Sequence, residues 1–163
     1  MKTLRILALS AALVAPLSPM AWAATDTPVE SVKVEADITA IKNERAATYW
    51  GGVAKDIEAA ILARVSDRVA EKGSRITVDI DEISLANSFE ASIGAEDSVL
   101  KGNVMISSDD NSKYDAYELS ISMSAASKFL PEGSVAIVSM TDAPEHYRAM
   151  IDAFASNVVE RLK

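Results

Sequence analysis

No cysteine occurs in the 163 residues, and there is only one histidine. The missing cysteine rules out disulfides, thiol nucleophiles and the lipid-modified cysteine that tethers some exported proteins to a membrane. Zinc prefers Cys and His ligands, so no metal site of that kind is expected. A serine triad needs a histidine base. His146 stands at the start of a predicted helix between Glu145 and Tyr147, with no Gly-x-Ser-x-Gly elbow anywhere, and it reads as an exposed helix-start residue. The six glycines form neither a phosphate cradle nor a dinucleotide fingerprint, and no cofactor is expected.

Cations are also scarce, 16 Lys and Arg against 24 Asp and Glu, for a net charge of −8. No basic stripe offsets that balance locally. Nucleic acid and anionic lipid surfaces repel such a chain, so neither is an expected partner.

The N-terminus is different in character. Lys2 and Arg5 precede an apolar run from Ile6 to Val14, which ends in Ala21-Trp22-Ala23. A cationic start, a short apolar middle and alanines before a cut site are the pattern of a cleaved secretory signal peptide over 1–23. The run is too short for a spanning helix, which needs about 20 apolar residues, and Pro16 and Pro19 interrupt it. No stable membrane insertion is expected after cleavage, and the expected location is soluble, periplasmic or extracellular. Losing Lys2 and Arg5 leaves 14 cations against 24 acids, a net charge of −10.

The remainder divides into a polar leader at 24–30, expected to be disordered, and a single domain at 31–163. Val32, Val34, Ala36 and Ile38 alternate with polar residues, predicting a strand over 31–38. Trp50, Val53, Ile57, Ile61, Val65 and Val69 recur at helical spacing and predict a long helix from Asn43 to Lys72, ended by a left-handed Gly73. Gly51-Gly52 is the weak point of that helix, because each glycine costs about 1 kcal/mol relative to alanine.

A second strand spans 75–81. Its apolar parity flips from Ile80 to Ile83, which predicts a β-bulge around Asp81-Glu82. A turn near Gly94 to Asp97, a strand from Leu100 to Ile106, a tip at Asp109 to Ser112 and a strand from Tyr117 to Met123 complete an antiparallel meander. Lys128 to Gly133 reads as a loop and Val135 to Met140 as a short extra strand. Asp142-Ala143-Pro144-Glu145 opens a final helix over 143–162, whose apolar stripe runs through Met150, Phe154 and Val158.

The expected fold is therefore a two-layer α+β sandwich: a mostly antiparallel sheet of four to five strands with two helices on one face. The other sheet face, bearing Thr77, Asp79, Ser120 and Ser122, meets water or a partner.

Candidate chemistry is sparse. Asp79, Asp81 and Glu82 offer a carboxylate pair for hydrolysis, with Asp79 and Asp81 about 6–7 Å apart on strand geometry. Asp109, Asp110, Asn111 and Asp115 cluster, but positions six and twelve of an EF-hand counted from Asp109 are Tyr114 and Ser120, so the motif fails. Phe89 and Asn87 sit in a polar stretch and, with Trp50, are the partner-contact candidates, although Trp50 also fits the core stripe. Two functional classes follow. The leading one is a non-enzymatic exported accessory protein that binds an envelope protein or a small apolar ligand; the alternative is an envelope hydrolase that uses the carboxylate pair.

Overall fold

The computed structural model describes residues 27–37, 44–84, 97–109, 113–131 and 143–162. The 1–23 segment, Phe89, Asn87, Ile38 and the strand predicted at Val135 to Met140 lie outside them. Four strands form one sheet in sequence order: β1 (Val29–Ala36), β2 (Ser74–Ser84), β3 (Val99–Ser108) and β4 (Tyr114–Ser122). β2, β3 and β4 pair antiparallel as the predicted meander, whereas β1 lies parallel to β2. A parallel neighbour needs a long crossover, and the helical segment between β1 and β2 supplies it. The result is the expected α+β sandwich.

Boundaries differ from expectation in several places. β1 starts at Val29, inside the expected leader, because Val29 is fully buried and Gly73 brings its strand against it. The long helix breaks at Trp50-Gly51-Gly52 into α1 (Glu44–Tyr49) and α2 (Val53–Arg64). Beyond α2 the chain makes a 3-10 turn at Ser66–Arg68. Val69, expected on the buried stripe, is 57% exposed, because its backbone leaves the helix to bridge Val29. Gly73 is not left-handed: a Cβ there would stand 2.6 Å from the Pro28 carbonyl oxygen, so close approach demands the glycine.

At the far end, Met123 belongs to α3 (Met123–Ala126) rather than to β4, since the Ser122 side chain accepts from the Ala125 amide and caps a helical turn. α4 (Pro144–Glu160) begins with Pro144 in its first turn, but its N-cap is Ala143, which offers no side-chain bond.

α2 and α4 pack against each other, α2 also against β1 and α4 against β4. Trp50, Ile57, Ile61, Ile76, Leu100, Ile106, Met150 and Phe154 fill the space between the layers, each below 2% exposure. Burying such side chains at roughly 1.5–3 kcal/mol each holds the two layers together. Ala149, Ala153 and Ala155 are buried on α4 and let its backbone come close. The bulge stands where the parity flip put it. Ile80 pairs with Gly102 and Glu82 with Lys101, leaving Asp81 as the extra residue, so Ile83 returns to the core face opposite Leu100.

Candidate functional site

With the helices on one face, the period of two along each strand sends the remaining side chains outward. Register lines them up in rows across the sheet. One row runs Glu35, Asp79, Asn103, Glu118; the next runs Lys33, Thr77, Met105, Ala116. Glu35, Asp79, Asn103, Met105, Ala116 and Glu118 are all exposed. Between the two rows lies a shallow depression of about 590 Å³ lined by Thr77, Asn103, Met105 and the three acids.

The predicted acids Asp79, Asp81 and Glu82 all stand exposed on this open face. Asp81, the bulged residue, accepts a hydrogen bond from Asn103 Nδ2 at 2.7 Å. Lys101 serves two carboxylates, with its Nζ 3.0 Å from Glu118 Oε2 and 3.7 Å from Glu82 Oε2. The hydrogen bond it donates to Glu118, with the field of Glu118 and Glu82, holds that ammonium above the ordinary lysine range. Lys33 is likewise raised by its 2.7 Å contact with Glu35. The Asp79 carboxylate, alone in its row, has no ion pair or hydrogen bond among the described residues. The acids predicted at the hairpin tip turn elsewhere: Asp109 meets Arg75 at 2.6 Å and Asp115 lies 3.8 Å from Arg161.

Trp50 presents no surface to a partner, being 0% exposed. Its ring abuts Tyr49 edge-on at 4.9 Å and Tyr147 at 5.5 Å, and its Nε1 is buried without a hydrogen-bond partner among the described residues. Tyr147 donates to Asp56 Oδ2 at 2.6 Å, and burial followed by that bond pushes its hydroxyl well above the ordinary tyrosine range. Tyr49, Asp56, Pro144, Tyr147 and Arg148 line a second open groove of about 490 Å³ beside the helix break. His146, expected to be exposed, is half-buried with Nδ1 enclosed.

Sequence reasoning placed Asp79 on the outer face but did not single out Glu35, Asn103, Met105 or Glu118. The alternation marked each as an outward position. Only strand pairing puts them in line, because residues 35, 79, 103 and 118 share no local pattern.

No protein-family model matches this chain, and comparison with curated proteins and with solved structures returns no significant match.

Proposed function

We propose that this chain is an exported, non-enzymatic accessory protein of the cell envelope that holds another envelope protein against the open face of its sheet. The 1–23 pattern supports export. One observation carries the binding reading: among the described residues the sheet is covered by helices on one side only, and its other side is an open, charged surface interrupted by an exposed Met105. The closely filled interior favours surface contact over a small apolar ligand held between the layers. Hydrolysis by a carboxylate pair calls for an acid partly enclosed in a concave site. Asp79, Asp81 and Glu82 are exposed, and Asp81 is already bonded to Asn103.

Affinity recovery from native envelope after mild cross-linking tests this reading, with a stoichiometric protein partner expected. If the purified protein runs alone and nothing is retained, the reading fails. Fractionation with N-terminal sequencing of the recovered protein tests export. A start at Ala24 in the periplasmic or extracellular fraction is expected, and an uncleaved intracellular product would contradict it.

A further inference from the structure

We infer that the partner docks a basic segment on the open sheet face, its cations meeting Glu35, Asp79 and Glu118 while an apolar side chain rests on Met105. This rests on the binding reading above and adds the chemistry of the partner.

Register sets Glu35 directly opposite Asp79. Like charges opposed across a strand pair destabilise a sheet, whereas threonine or serine at the same position would keep it soluble without that cost. Among the described residues of the face around them, Glu35, Asp79, Asp81, Glu82 and Glu118 outnumber Lys33 and Lys101, and both lysines, like Arg75 farther back along β2, are already held by carboxylates. The face therefore keeps an excess of negative charge, concentrated at Asp79.

Beside the acids lies a patch of different character. Met105 is 44% exposed, between Thr77 and Ala116 in its row. Rows two residues apart along a strand are about 7 Å apart. That distance lets one segment place an apolar side chain in the depression and its cationic neighbours on the acid row.

Charge complementarity selects the occupant. A second copy of this chain would bring two acid rows together, and phosphate-bearing polymers or lipids are repelled in the same way. A lysine- or arginine-bearing polypeptide is attracted, and it is the occupant we assign.

The test uses the purified protein labelled with ¹⁵N and a synthetic 14-residue peptide of lysine pairs separated by leucine, with a glutamate-for-lysine counterpart as control. Amide shifts are expected at Glu35, Asp79, Asn103, Met105 and Glu118 with the basic peptide and none with the acidic one. Glu35→Gln with Asp79→Asn is expected to weaken binding about fivefold. Glu71→Gln with Glu160→Gln removes the same net charge from exposed sites off the face and should change it far less. The sheet-face pair should also unfold at equal or higher urea, so lost binding would not reflect lost folding.

Equal weakening in both pairs, or shifts at another surface, overturns the inference. Concentration-dependent shifts of the same amides without peptide overturn it in favour of a second copy. Envelope recovery of a partner that is unchanged by Glu35→Gln with Asp79→Asn overturns it while leaving the binding reading intact. Recovery of nothing removes both.

Discussion

The Tyr147 hydroxyl donates to Asp56 Oδ2 at 2.6 Å directly beside Gly52, where a Cβ would lie 3.1 Å from that oxygen and 3.7 Å from the hydroxyl. This places one purpose on the glycine pair that breaks the first helical run. The missing side chain leaves room for a bond that ties the first turn of α2 to the first turn of α4. The edge-to-face contact of Tyr49 with Tyr147, ring centres 5.3 Å apart, sits at the same junction.

Removing either partner of that bond should cost stability. Tyr147→Phe and Asp56→Ala are each expected to lower the unfolding free energy by about 1 kcal/mol, the order for a partly solvated hydrogen bond to a charged group. The double variant should cost little more than one single change, since both remove the same contact. Urea titration of the four proteins checks this, and fully additive losses would show that the two residues act separately.

Gly102 is constrained by its neighbour strand. A Cβ there would stand 2.6 Å from the Asp79 carbonyl oxygen and 2.9 Å from Ile80 Cδ1, at the point where the register shifts. The first of those atoms is backbone and cannot swing away. Gly102→Ala should destabilise by about 1–3 kcal/mol, as overpacking does, and an unchanged urea midpoint would mean that the bulge relaxes to accept a methyl group.

Two tyrosines make the fold sensitive to alkali. Burial, partly offset by the Arg161 guanidinium over its ring, pushes Tyr117 up to about 12, and Tyr147 is raised in the same direction. An unfolded tyrosine ionises near pH 10. The stability these groups contribute is therefore complete below pH 10 and is lost as pH rises from there through about 12 for Tyr117. Tyr117→Phe should flatten that decline. At neutral pH it should be neutral or stabilising, since the Tyr117 hydroxyl is buried with no hydrogen-bond partner among the described residues. Unfolding curves at pH 7, 10 and 11 check both statements, and an undiminished alkaline loss in the variant would remove Tyr117 from the account.

Charge opposition on the outer face should be measurable without any partner. Asp79→Thr is expected to raise stability by about 0.2–1 kcal/mol by ending the cross-strand repulsion with Glu35. The gain should shrink in 0.5 M salt as screening removes the repulsion. A loss of stability at low salt would show that Asp79 is compensated in the folded state.

Much of the architecture is legible in local pattern. The stripe through Trp50, Val53, Ile57, Ile61 and Val65 is buried along its whole length, even though the helix carrying it is broken. The bulge was readable because a change of parity in a half-buried strand has few other remedies. Where the helix stopped was less legible. Val69 continues the helical spacing, yet it pairs its backbone with Val29, and nothing within a few residues of Val69 records that strand.

What the amino-acid order by itself determined is periodicity: which side chains of each strand and helix turn inward, and hence a sandwich of one sheet and one helical layer. Burial of apolar surface enforces that choice locally, residue by residue. Only the tertiary structure decided that β1 joins the sheet parallel to β2, that Glu35 faces Asp79 with Asn103 and Glu118 in line, and that Tyr147 reaches Asp56. Those are contacts between residues 15 to 91 positions apart. They are set by register and layer packing, which no short-range pattern encodes.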